Sequence, residues 1–126
     1  MPVVEPAGFR KHVALLRAKE SNGYFHTLTS VMQYENASVV TLHIDWDGAD
    51  DEPKQSSRNT PLMELEIGAP YTCRFDRAFG NAGHYSNCFV VTPPLPDDMS
   101  GIAFVFRYRL QQTSVKLPVA DDHIVL

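Results

Sequence analysis

In residues 39–46, VVTLHIDW, apolar and polar side chains alternate. One face of this stretch carries Val40, Leu42, Ile44 and Trp46, and the other carries Thr41, His43 and Asp45. A period of two residues is typical of a β-strand with one buried face and one face in water. We therefore predict a strand here, with His43 and Asp45 together on its polar face.

Similar patterns along the chain predict an all-β protein. Residues 63–67, 71–76 and 102–110 alternate in the same way, and residues 24–32 and 85–92 are rich in aromatic and β-branched side chains. Residues 114–119 and 122–125 read as extended, with Pro118 suited to an edge strand because proline lacks an N–H. Turn residues separate these segments, which predicts an antiparallel, immunoglobulin-like β-sandwich of about seven or eight strands.

Residues 8–20 fit two structures. Phe9, Val13 and Leu16 share one helical face, and Asn22-Gly23 is a helix stop, so one short N-terminal helix is one interpretation. Asn22-Gly23 also favours a type I′ turn joining residues 12–19 to residues 24–32 as a hairpin. We prefer the strand, because it agrees with the rest of the chain.

Length and charge limit the classes of protein. The 126 residues, 14.1 kDa, match one domain covering residues 1–126, and a net charge of −4 disfavours nucleic acid as a partner. No apolar run is long enough to span a membrane, and the first residues lack the pattern of a signal peptide. We therefore expect a soluble, cytoplasmic protein.

The two cysteines, Cys73 and Cys88, match no zinc or redox motif. If residues 71–76 and 85–91 form a hairpin around residues 79–83, the two thiols become cross-strand neighbours, close enough for a disulfide. Since no export signal accompanies them, we favour two reduced thiols packed as small apolar groups.

The acidic segment 45–52 is the strongest candidate for a metal site. Asp45, Asp47 and Asp50 offer hard oxygen ligands, and Gly48 permits a sharp turn, so calcium is the ion that this segment suits. This predicts calcium-dependent binding of a sugar or an anionic lipid headgroup. Two of His43, Asp45 and Asp47 can chelate one ion. All three cannot, because the outer pair lies about 13 Å apart on an extended strand. A solvated acidic loop is the simpler interpretation.

Motifs of catalysis are missing from the sequence, which predicts that the protein is not an enzyme. There is no nucleophile elbow, no phosphate-binding glycine loop and no His-Glu-x-x-His. The five histidines are dispersed, and nothing in their spacing predicts that they meet. A small hydrolase or isomerase built from separate strands remains the least favoured hypothesis.

The leading hypothesis is a binding or assembly module without a cofactor. Two connections, residues 48–61 and 92–101, are longer than hairpins need, and long loops on a rigid sheet often carry binding residues. The second contains Pro93, Pro94, Leu95 and Pro96, a rigid segment that loses little entropy on docking. We predict contact with another protein, or with copies of this chain, through these loops and an edge strand.

Overall fold

The computed structural model describes residues 4–21, 24–46, 62–81, 84–112 and 115–126. These residues contain eight strands and no helix, which confirms the all-β prediction. The strands are β1 (Phe9–Ser21), β2 (Tyr24–Tyr34), β3 (Ser38–Trp46), β4 (Leu62–Glu66), β5 (Thr72–Asn81), β6 (His84–Thr92), β7 (Ala103–Gln112) and β8 (Val115–Val125).

The strands form two antiparallel sheets. One has five strands in the order β1-β2-β3-β6-β5, and the other has three in the order β4-β7-β8. Pro118 lies in β8, an edge strand as its missing N–H predicts. No helix of the described residues has the length and apolar character needed to cross a membrane.

Residues 9–21 are strand, so the helical alternative for residues 8–20 is wrong. β1 pairs with β2 from Phe9 opposite Tyr34 to Ser21 opposite Tyr24, which confirms the predicted hairpin. Residues 22–23, and with them the predicted turn type, lie outside the described residues. The helical pattern was misleading because a bulge interrupts β1 between Ala14 and Arg17 and changes which side chains share a face.

Both sheets contribute to one apolar core. Leu42 and Ile44 of β3 are buried there, as the alternation of residues 39–46 predicts, together with Phe89 of β6 and with Phe104 and Phe106 of β7. The opposite side of the five-stranded sheet, here called the outer face, carries the intervening residues of β3 and β6. At the His84 end of β6 the outer-face side chains reach solvent, whereas Cys88 and Val90 further along the same face are buried.

Three buried or charged groups fix the connection 92–101 to the sheet. Gln33 Nε2 donates to Leu95 O at 2.9 Å, and Ser38 Oγ accepts from Leu95 N at 2.8 Å while it also donates to Gln33 Oε1. Arg10 pairs with Asp97 at 3.0 Å, and this hydrogen bond holds the pKa of Asp97 below its usual value. The connection is thus held against the five-stranded sheet at Leu95 and Asp97.

The cysteines are not cross-strand neighbours. β5 and β6 form the predicted hairpin, but Cys73 lies opposite Val91, and Cys88 lies opposite Arg77. The predicted register is wrong because β5 continues to Asn81 and carries a bulge between Phe75 and Arg77. Both thiols are free, and burial raises the pKa of Cys73 to about 11.

Candidate metal-binding site

Two neighbouring strands place three potential metal ligands on the outer face. Asp45 of β3 lies directly opposite His84 of β6, and His43 lies opposite Ser86, one pair further along. Residues two apart on a strand point to the same side, so His43, Asp45 and His84 share this face. Alternation in β3 fixes two of the ligands, and the β3–β6 register adds the third.

The three side chains are already in contact. Asp45 Oδ1 lies 2.6 Å from His84 Nδ1 and 3.2 Å from His43 Nε2, and the two imidazole rings are stacked with centroids 6.3 Å apart. One ligand atom from each residue lies within 4.8 Å of the other two. The carboxylate therefore holds both rings through hydrogen bonds.

This spacing suits a transition-metal ion. Ligands bound at about 2.1 Å lie about 3.0–3.4 Å apart around one ion, whether the geometry is octahedral or tetrahedral. The 3.2 Å distance from Asp45 to His43 lies within that range and the 2.6 Å distance to His84 is shorter, so side-chain rotations that move His84 outwards would let an ion replace the protons between the residues. Two imidazoles and one carboxylate on one side of an ion leave further coordination positions open.

Ser86 contacts His43 and orients its ring. Its hydroxyl lies 2.7 Å from His43 Nδ1, the ring nitrogen that does not face Asp45. A metal-binding histidine usually donates a hydrogen bond from its other nitrogen, which fixes the ring and its tautomer. In the tautomer in which His43 Nδ1 donates to Ser86 Oγ, Nε2 carries no proton, and its lone pair is available to an ion bound beside Asp45.

The site is open to solvent. The side chains of His84, Asp45 and His43 keep 62%, 39% and 29% of their accessible surface. Two surface depressions in the described part of the chain lie elsewhere, against β1 and the end of the chain, and involve Arg17. An ion on the outer face would therefore meet a broad, exposed surface, unlike the concave sites typical of small ligands.

Exposed aromatic side chains stand on both sides of the cluster. Phe25 of β2 lies opposite Asp45, and Phe79 of β5 lies opposite Ser86. Phe25 is 47% exposed and Phe79 is 56% exposed. Three strand spacings, about 14 Å, separate β2 from β5, so the two rings flank the three ligands.

The sequence predictions meet this site at two residues. His43 and Asp45 share a face as predicted, and Asp45 belongs to both the predicted and the observed cluster. Asp47 and Asp50, the other proposed calcium ligands, and the connection 48–61 lie outside the described residues. His84, Ser86, Phe25 and Phe79 were not predicted to join the site. The sequence feature that came closest to predicting His84 was its position at one end of the predicted strand 85–92, because binding residues often lie at the ends of strands.

The proline segment is only partly accessible. Pro93 and Pro96 are exposed and Pro94 is partly buried, but Leu95 is 2% exposed and belongs to the core. A partner could contact this segment through the prolines, whereas Leu95 anchors it from below. The edges available for strand addition in the five-stranded sheet are β1 and β5.

A scan against protein-family models, a search of curated proteins and a search of solved structures each gave no match.

Proposed function

We propose that this protein binds a divalent transition-metal ion, of the zinc or nickel type, through His43, Asp45 and His84. The observation that carries the proposal is the convergence of one ligand atom from each residue within 4.8 Å. Imidazole and carboxylate together suit this class of ion. The hydrogen bond between His43 and Ser86 adds the orienting contact that such sites use.

The ligand set favours a transition metal over calcium. Calcium takes six to eight oxygen ligands, whereas two of the three ligand atoms here, those of His43 and His84, are imidazole nitrogens. Calcium-dependent binding of a sugar or lipid headgroup at residues 45–52 stays a proposal that depends on Asp47 and Asp50. A calcium titration run beside the zinc titration separates the two.

The experiment is calorimetric titration of the full chain with ZnCl₂, NiCl₂ and CaCl₂. We expect saturable binding of zinc or nickel, and a rise in unfolding free energy of about 2.7 kcal/mol when free ion reaches 100 times the dissociation constant. Asp45→Asn and His84→Ala should weaken binding at least about 100-fold, and Ser86→Ala about 10-fold.

The matched control is His12→Ala, which removes an exposed histidine from β1, away from the cluster. It should leave the affinity unchanged. Binding that survives Asp45→Asn, or that disappears equally in His12→Ala, would show that the ion is held elsewhere.

A second candidate function is assembly with another protein or with copies of this chain, without catalysis. The exposed rings of Phe25 and Phe79 favour it, because both lie on the outer face and aromatic side chains are enriched at protein interfaces. Crosslinking of the purified chain, followed by mass measurement, tests self-association. Loss of the crosslinked species in Phe25→Ala and Phe79→Ala would support this face as the contact.

We also infer that the two sheets pack face to face as a β-sandwich. Support comes from the core, to which Leu42 and Phe89 of one sheet and Phe104 and Phe106 of the other all contribute. The strand order favours a connectivity other than the immunoglobulin type, in which the third strand leaves the sheet of the first two. Here β1, β2 and β3 are consecutive neighbours in one sheet.

A further inference from the structure

We infer that one metal ion is shared by two copies of this chain, related by a two-fold axis through the ion, with the outer faces in contact. This rests on the proposed metal-binding function and names its partner. Each copy would supply His43, Asp45 and His84, and the pair would supply six ligands to one ion.

The first argument is coordination. The three ligands of one copy come from one sheet face, so they occupy one side of the ion and leave the solvent side open. A two-fold rotation places an identical set of three on that open side, which completes an octahedral arrangement of imidazole and carboxylate groups. The exposure of His84, at 62%, makes the ligand atoms accessible to a partner.

The second argument is charge. A divalent ion held by a single Asp45 carboxylate keeps one positive charge without compensation. Two Asp45 carboxylates neutralise the ion, and a neutral site is cheaper to bury in an interface than a charged one. Among the described outer-face residues, Thr27, Thr41 and Ser86 beside the ligands are uncharged, so they add no repulsion between copies. The exposed charges of this face, Glu20 and Arg77, have opposite signs and lie further out, on β1 and β5.

The third argument is the shape and size of the surface. At its other end the outer face is covered by residues 4–7, since Arg74 Nη2 donates to Val4 O at 2.9 Å and Ala7 N donates to Asn36 Oδ1 at 2.8 Å. The part left free spans about 24 Å across five strands and about 17 Å along β3, which is roughly 400 Å² per copy. Phe25 and Phe79 lie within it, on opposite sides of the ligands.

This area decides how the dimer depends on metal. Two copies would bury roughly 800 Å², less than the 1,000 Å² or so that a stable interface usually needs. The apolar contact from the phenylalanines is therefore insufficient by itself, and the shared ion must supply the rest. The dimer should form when metal is added and dissociate when it is removed.

The test combines calorimetric titration of the full chain with NiCl₂ and mass measurement by light scattering during size exclusion. We expect about one nickel ion per two chains, a doubled molecular mass with nickel, and the monomeric mass after EDTA. Asp45→Asn should stay monomeric under both conditions.

Two variants test the surface without touching the ligands. Phe25→Glu and Phe79→Glu should raise the dimer dissociation constant at least about tenfold and shift nickel uptake to one ion per chain. Phe9→Glu is the matched control, because Phe9 is 59% exposed and lies at the start of β1, opposite Tyr34. It should keep the shared stoichiometry.

The outcomes separate the two proposals. One nickel ion per chain with a monomeric mass overturns the shared ion but leaves metal binding intact. If that monomeric complex also binds added imidazole, its remaining coordination positions accept a donor other than a second copy. A dimer that persists in EDTA also overturns the proposal of a shared ion. The proposed function itself is overturned if neither nickel nor zinc is taken up.

Discussion

Leu16 has a backbone conformation that its side chain disfavours. Its φ is +55°, in the left-handed region, and its side chain is 73% exposed. Residues other than glycine, asparagine and aspartate seldom adopt this conformation, because Cβ approaches the following carbonyl oxygen. The bulge between Ala14 and Arg17 in β1 imposes it. A bulge on an edge strand also makes pairing with another chain harder.

Leu16→Asn should stabilise the protein by about 1 kcal/mol, because asparagine tolerates the left-handed conformation and the exposed leucine loses little buried surface. Urea unfolding measures the change in the free energy of unfolding. Leu16→Ala is the control, since it removes the same side chain but leaves the backbone preference unfavourable. Equal effects of the two substitutions would show that the conformation carries no cost.

At the scale of the element, the bulge in β5 determines what the outer face contains. Before the bulge, Cys73 and Phe75 lie opposite the core residues Val91 and Phe89. After it, Phe79 lies opposite Ser86 on the outer face. One inserted residue reverses the alternation of a strand, so simple alternation from Phe75 would have placed Phe79 in the core.

Gly80 lets β5 and β6 approach closely beside His84. Its φ is +149°, and a Cβ there would lie 2.1 Å from His84 O and 2.9 Å from Tyr85 Cα. Gly80→Ala should therefore move the backbone that carries His84, lowering the free energy of unfolding by about 1–3 kcal/mol. It should also weaken metal binding. Urea unfolding and zinc titration measure the two effects.

The control for Gly80→Ala is Gly101→Ala. Gly101 also has a positive φ, +81°, but a Cβ there would meet nothing within 4 Å. This substitution should cost only the backbone strain, about 1 kcal/mol, and leave metal affinity unchanged. The close approach would be irrelevant if both substitutions had the same effect on zinc binding.

At the scale of the whole molecule, one core joins the two sheets. Phe106 of β7 is fully buried and its ring lies 4.6 Å from that of His26 of β2, centroid to centroid. Asn87 is buried in the same sheet as His26, and the amide group of Asn87 has no hydrogen-bond partner among the described residues. Because the two sheets pack against the same core, unfolding of one sheet should expose the apolar face of the other.

Phe106→Ala should lower the free energy of unfolding by about 3–5 kcal/mol through the cavity it leaves. Phe9→Ala, at an exposed ring, should cost about 1 kcal/mol or less. In the unsubstituted protein, the fluorescence of Trp46 in β3 and far-ultraviolet circular dichroism should report one coincident transition. Two separate transitions would contradict a single domain covering residues 1–126.

The sequence by itself determined the strands, and it determined the contents of a face where no bulge interrupts the alternation, as in β3. Alternation in residues 39–46 is a local property, set by side chains pointing to opposite sides of an extended backbone, and it correctly grouped His43 with Asp45. The β1–β2 and β5–β6 hairpins were also predictable, because their partners are adjacent in sequence. An edge position for Pro118 followed from one missing N–H.

Only the tertiary structure decided which distant strands became neighbours. His84 meets Asp45 because β6 pairs with β3 across 39 residues of chain, and no local pattern encodes that choice of partner. Bulges in β1, β2 and β5 then changed which residues reach the outer face. The candidate metal site was half predictable for this reason: one strand's periodicity supplied two ligands, and long-range pairing supplied the third.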